Sequence, residues 1–227
     1  MPTTRVIGRM SNSLLLIALL LLSVVEPFFP AETFGHTLFI ITMSAVLTAA
    51  VWAVSQSRRL LAAGLFLAAP AFLAAWMHHF VRSRWLGVAF IVSGAAFLGF
   101  TAVVVLRHAL ANATVTTDTI AGAICFYLLL GVIWALLFSL VEIVHPGSFL
   151  DGGHPLSGSS AGSRALVPGL LYLSLVTLST LGYGDVLPVT PPARMLAAIE
   201  GIIGPLYLAV LIARLVGIQA SRSRPGA

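Results

Sequence analysis

The chain has 227 residues, of which 59% are hydrophobic and 8% are charged, and its formal net charge is +5. A soluble domain has about 25% charged residues and about 45–50% apolar ones, so this composition excludes a water-soluble globular protein. The few charges fall between long apolar runs, which is typical of a polytopic membrane protein. All 12 basic residues are arginine, and they lie mostly in short segments between apolar runs. This placement indicates topological charge rather than nucleic-acid binding.

Apolar runs long enough to cross a bilayer, about 20 residues each, occupy most of the chain. The six predicted spans are Leu14–Phe29, His36–Gln56, Leu60–Met77, Trp85–Leu106, Ile120–Val144 and Ala193–Val216. The first is the weakest because Glu26 interrupts it, and its short charge-free run also resembles a signal peptide. No small-x-small cleavage site follows it, which favours a retained helix.

The arginines also orient the predicted spans. With the N-terminus in the cytoplasm, eight arginines lie on the cytoplasmic side and four on the outer side. This asymmetry predicts that both termini are cytoplasmic. The lack of lysine and the Gly/Ala-rich composition favour the plasma membrane of a bacterium, that is, its inner membrane.

Two polar segments and one short apolar segment complete the organisation. Leu166–Leu178 is apolar but too short to span, which predicts a re-entrant or buried helix. Residues His145–Ala165 before it are rich in glycine and serine and predict a flexible outer loop. Arg107–Thr119 predicts a cytoplasmic linker, with Thr117 or Asp118 capping the fifth helix. The predicted domains are 11–106, a four-helix unit, and 120–219, a second membrane unit, joined by the linker 107–119.

The segment after the short helix reads Thr180-Leu181-Gly182-Tyr183-Gly184-Asp185. A backbone that turns successive carbonyls to one side alternates ordinary and left-handed dihedrals, and glycine tolerates the left-handed ones. Thr180 adds a hydroxyl oxygen at the inner end. Four such segments around an axis would form stacked oxygen rings that replace the hydration shell of a potassium ion.

This hexapeptide, placed between two spanning helices, resembles the selectivity filter of potassium channels. The chain is similar to the voltage-gated-like, six-transmembrane channels of bacterial type, although Leu181 replaces the usual Val or Ile. The resemblance implies an all-α polytopic membrane protein with a four-helix voltage-sensor-like domain and a two-helix pore domain. The pore domain would contain the re-entrant pore helix and the filter. Potassium ions would bind to carbonyl oxygens of Thr180, Leu181, Gly182 and Tyr183 and to the Thr180 hydroxyl, with no organic cofactor.

The resemblance also assigns supporting roles around the filter. Tyr172 stands where related channels place a Trp that pairs with the filter Asp, so a Tyr172–Asp185 hydrogen bond is predicted. An interfacial anchor is the alternative for Tyr172. Glu142 resembles an outer-helix Glu that hydrogen-bonds the top of the inner helix, with simple solvation as its alternative.

The last predicted span carries the remaining candidates. Gly204 corresponds to a gating hinge in related channels, and close helix packing is the alternative. Leu208, Ile212 and Val216 would face a central cavity, or pack against lipid or a neighbour. Glu200 is an acid at membrane depth, and it predicts a structural hydrogen-bonding group, a protonated group or a proton sensor.

The first four spans have the count and order of a voltage sensor, but the fourth lacks the charges. A sensor needs arginine at every third position, whereas Trp85–Leu106 contains no charge. The second and third spans contain no Asp or Glu to act as countercharges. This indicates a degenerate sensor or a lipid-facing scaffold.

We therefore expect a homotetramer, with three further copies and membrane lipid as partners, that conducts potassium passively. The alternatives are a weakly selective cation channel, or a non-conducting membrane scaffold or regulatory subunit. An enzyme is not expected, because the sequence has no clustered catalytic side chains. His78-His79 is interpreted as an interfacial polar pair, because adjacent helical residues point in different directions.

Overall fold

The computed structural model describes residues 3–25, 28, 34–55, 57–81, 83–111, 116–156 and 162–222. The helices are α1 (Thr3–Val25), α2 (Phe34–Val54), α3 (Arg58–Phe80), α4 (Arg84–Ala111), α5 (Thr117–Val144), α6 (Gly162–Leu178) and α7 (Pro191–Arg222). Three short strands are β1 (Phe149–Asp151), β2 (His154–Pro155) and β3 (Val186–Pro188). Glu26, which interrupts the first predicted span, lies outside the described residues. The side chains of His78 and His79 also lie outside them.

Five of the described helices, α2 to α5 and α7, are long and apolar enough to cross a membrane. They correspond to five of the six predicted spans. The apolar part of α1 among the described residues is the shorter segment Asn12–Val24, so the first span stays a prediction. The apolar segment of α6, Leu166–Leu178, is also too short to span, as its sequence predicts.

One large apolar core joins α1 to α4 with α5. Its buried side chains include Leu19 on α1, Met43 on α2, Phe97 on α4 and Leu129 on α5. A second core lies between α5, α6 and the start of α7, around Phe138 and Leu170. α5 contributes to both cores and therefore connects the first four helices to the α6–α7 unit.

Two arginine side chains form hydrogen bonds between helices near the helix ends. Arg84 Nη2, at the start of α4, donates to the carbonyl oxygen of Ile143 on α5 at 2.5 Å. The Arg214 guanidinium on α7 donates to the carbonyl oxygen of Leu110 on α4. Since α4 packs on α5 of the same chain, the four-helix unit lies beside its own α5–α7 unit.

Helical residues extend into the predicted linker over 107–119 from both sides, and residues 112–115 lie outside the described part of the chain. α4 continues to Ala111 and α5 already begins at Thr117. The helix cap is Thr116 rather than Thr117 or Asp118, because Thr116 has extended dihedrals and its Oγ1 accepts from Thr119 N at 3.2 Å. Asp118 instead accepts a hydrogen bond from Asn12 Nδ2 at 3.2 Å.

The predicted flexible loop after α5 contains part of a small antiparallel sheet with strand order β2-β1-β3. Leu150 pairs with Leu187, and Asp151 with Val186. Gly152 and Gly153 both have positive φ, as a two-residue hairpin turn of the primed type requires. The sheet fixes the loop to the chain segment that follows Asp185.

Candidate functional site

The C-terminus of α6 leads directly into the hexapeptide. Leu181 N donates to Val176 O at 2.9 Å, and Thr180 N donates to Thr177 O at 3.0 Å. This pair of bonds is a Schellman motif, in which the residue after the cap adopts a left-handed conformation. Thr180 occupies that position with φ 61°, and it is the one non-glycine residue with positive φ in the described part of the chain. Sequence reasoning assigned Thr180 a hydroxyl role and missed this backbone conformation.

Left-handed dihedrals recur at every second residue of the hexapeptide. Gly182 has φ 58° and Gly184 has φ 79°, following the 61° of Thr180. Leu181 and Tyr183 do not have positive φ. The predicted alternation of ordinary and left-handed residues is thus present, and it extends one residue before the first glycine.

The two large side chains of this segment are exposed in the single chain. Leu181 is 59% exposed and Tyr183 is 69% exposed. This side of the segment is therefore not covered by the chain itself.

The predicted bond between Tyr172 and Asp185 is present. Tyr172 Oη donates to Asp185 Oδ2 at 2.6 Å, while Asp185 Oδ1 accepts from Val186 N at 3.0 Å. The hydrogen bond from Tyr172 lowers the pKa of Asp185, and the bond to this carboxylate raises the pKa of Tyr172 to about 12. Gly152 N donates to the backbone oxygen of Asp185 at 3.1 Å. The Asp185 end of the hexapeptide is therefore tied to both α6 and the β1–β2 turn.

Glu142 is placed differently from its predicted role. It is 1% exposed, and its Oε1 and Oε2 accept from Gly147 N at 2.8 Å and from Phe149 N at 3.0 Å. Its partners are therefore in the loop after its own helix, not at the top of α7. The link to the inner helix is indirect, through the pairing of β1 with β3.

Gly204 permits close contact between α7 and the end of α6. A Cβ at this position would clash with the carbonyl oxygen of Leu178 and lie 3.0 Å from its carbonyl carbon. The same Leu178 oxygen accepts a hydrogen bond from Tyr127 Oη at 3.0 Å. This geometry supports the packing interpretation of Gly204; its hinge role stays a prediction.

The predicted cavity residues on α7 are exposed in the part of the chain that the structure describes. Leu208, Ile212 and Val216 are all exposed, so their position along a central cavity stays a prediction. Sequence reasoning also missed Tyr127 and Ser174, polar side chains within largely apolar helices. Ser174 Oγ contacts Glu200 Oε1 at 2.5 Å and Gly131 O at 2.8 Å. No spacing in the sequence indicates these contacts, which join three separate helices.

Comparison with known proteins places the similarity in this half of the chain. Residues 115–218 match the model of a family described as "Ion channel". The chain is 34% identical over 85 residues to "Two pore potassium channel c" of Oryza sativa subsp. japonica, which covers 37% of this chain. The match spans only 19% of that relative's length. With its membrane-length helices, the chain is a multi-pass membrane protein that carries a channel-type domain.

Proposed function

We propose that the protein is a potassium-selective channel that conducts passively through a homotetrameric pore. Thr180 to Asp185 would form the filter, and potassium ions would bind to the carbonyl oxygens of Thr180, Leu181, Gly182 and Tyr183. The observation that carries this proposal is the regular alternation of left-handed residues at 180, 182 and 184. Alternating handedness lets successive carbonyls line one path, which is what ion coordination by backbone oxygens requires. The match to a family of ion channels supports the same function.

The position of α6 suits a cation site. Its C-terminus ends at Leu178, directly before the filter segment. A helix C-terminus carries a partial negative charge, roughly half an elementary charge, which favours a cation nearby. The proposed ion path therefore begins at the favourable end of this helix.

Assembly explains the exposed surfaces of the single chain. One chain supplies one filter segment, and oxygen rings around an ion need several. The exposed Leu181, Tyr183 and Ile212 would be covered by, or line a path between, three further copies. Because α4 packs on α5 of its own chain, each four-helix unit would remain beside its own pore unit.

The proposed setting is the bacterial inner membrane, with both termini in the cytoplasm. The arginine asymmetry supports this orientation. α1 to α4 would form a sensor-like peripheral unit that faces lipid. Its fourth helix contains no charged side chain between Arg84 and Arg107.

Purified protein in liposomes tests the proposal. A potassium gradient should drive flux through the protein, and an equal sodium gradient should drive far less. Equal fluxes of both ions would indicate a weakly selective cation channel. Absence of flux for both would indicate a non-conducting scaffold or regulatory subunit.

A further inference from the structure

Glu200 is a completely buried acid on α7, at the level where α5, α6 and α7 meet. The other buried acid of this unit, Glu142, has a backbone N–H on each carboxylate oxygen. Glu200 differs, because Ser174 Oγ is its hydrogen-bond partner and Oε2 is buried without one in the described part of the chain. A carboxylate in these surroundings would have a charge that few groups compensate.

The hydrogen bonds of this cluster indicate the protonation state of Glu200. Ser174 Oγ lies 2.8 Å from Gly131 O and 2.5 Å from Glu200 Oε1. A hydroxyl group has one proton, and a backbone carbonyl oxygen can only accept. If Ser174 donates to Gly131, the short contact with Glu200 needs a proton that belongs to the Glu200 carboxyl group. The neutral acid then satisfies both contacts.

Among the described residues, no cationic side chain contacts Glu200. On α5, the titratable side chain that Glu200 influences is Tyr127, and the Tyr127 hydroxyl donates to Leu178 O rather than to Glu200. On α6, the facing polar group is Ser174, which does not titrate in this range. Within α7, the nearest arginines in sequence are Arg194 and Arg214, more than one helical turn away on either side.

We propose that Glu200 is held as a neutral acid and acts through Ser174 as a positioning residue for α6, the helix that leads into the filter. This inference rests on the proposed channel function. Ser174 lies two residues after Tyr172 and four before Leu178 on α6. α6 is therefore hydrogen-bonded to Asp185 through Tyr172, and to α5 and α7 through Ser174. Loss of the Glu200 proton would leave Ser174 with one proton for two acceptors, so α6 would lose its hydrogen bond either to Gly131 on α5 or to Glu200 on α7. The helix that leads into the filter would then be held less firmly.

Potassium flux from liposomes, measured from about pH 6 to about pH 10, tests this role in wild type and two variants. Wild-type flux should be steady at low pH and then fall as pH rises, by up to about tenfold per pH unit for one titrating group. Glu200→Gln keeps an N–H donor for Ser174 Oγ but cannot lose it, so its flux should persist and be independent of pH. Glu200→Ala should have low flux throughout. Wild-type flux that is equally independent of pH, or Glu200→Gln as defective as Glu200→Ala, would overturn the proposal.

Infrared spectroscopy of the reconstituted protein gives a second readout that does not need conduction. The carbonyl-stretch band of a protonated carboxylic acid should be present at neutral pH and lost in Glu200→Gln. Glu142→Gln, which changes the other buried acid of this unit, is the matched control and should retain the band. If the band is present but no flux is measured, the channel function is contradicted, whereas the proposal that Glu200 is a neutral acid is supported. If selective flux is measured but no band is attributable to Glu200, the proposal that Glu200 is a neutral acid is overturned, whereas the channel function is supported.

Discussion

The hydroxyl of Tyr172 donates a hydrogen bond of 2.6 Å to the carboxylate of Asp185, which joins the middle of α6 to the outer end of the hexapeptide. If this bond steadies a filter, Tyr172→Phe and Asp185→Asn should each change the rate at which current declines during sustained opening. Their effects should be clearly non-additive in a double-mutant cycle, because each change removes the same bond. The control pairs Tyr172→Phe with Asp118→Asn, an acid at the start of α5 that bonds to Asn12, and should be additive. Additive effects of Tyr172→Phe and Asp185→Asn would contradict this role of the bond and would support the alternative that Tyr172 is an interfacial anchor.

The same bond predicts a dependence of stability on pH. Tyr172 lowers the pKa of Asp185, so the bond stabilises the folded state above the unfolded pKa of Asp and is lost as pH falls through the lowered value. The raised pKa of Tyr172 adds stability that is complete below about pH 10 and is lost as pH rises through about 12. Thermal unfolding of the purified protein should therefore show an acid transition that starts at higher pH in Tyr172→Phe. Identical acid transitions in the two proteins would contradict the bond's contribution.

A methyl group at Gly204 should separate α7 from the end of α6. Because the Cβ of Gly204→Ala would meet the rigid backbone carbonyl of Leu178, we expect a loss of about 1–3 kcal/mol in unfolding free energy or more. Gly201→Ala, one turn earlier on the same helix, is the control, since its Cβ would lie 3.8 Å from Thr177 Cγ2. Denaturant unfolding in detergent, together with flux, measures both variants. Equal stability of the two would show that α6 and α7 are not in close contact at this position.

Features that rest on long or locally repeated signals are predictable from this sequence. The long apolar runs of α4 and α5 locate both helices to within a few residues, and the resemblance to potassium channels assigns Tyr172 as the partner of Asp185. The cap of α5 was misplaced because adjacent threonines and an aspartate compete, and only the dihedrals of Thr116 select it. Strands of two or three residues are too short for an alternating pattern, so β1 to β3 were missed, and with them the partners of Glu142.

Voltage should have little effect on the current. α4 has charged side chains only near its two ends, at Arg84 and Arg107, and Arg84 is hydrogen-bonded to α5. A field moves a helix only through its charges, so conductance should rise far less than e-fold per about 10 mV. Single-channel recording over a range of potentials measures this directly. A gating charge of several elementary charges per channel would contradict it.

If the hexapeptide selects potassium through its backbone, selectivity depends on the left-handed conformation of Gly182. Its φ of 58° is a conformation that a side chain tolerates poorly, so Gly182→Ala should still assemble but lose selectivity. Gly217→Ala, on α7 with no atom within 4 Å of an added Cβ, is the control. The measurement is the reversal potential of single-channel current with potassium on one side of a bilayer and sodium on the other. Wild type and Gly217→Ala should reverse at strongly potassium-selective potentials and Gly182→Ala should not, whereas an unchanged reversal potential in Gly182→Ala would contradict the filter assignment.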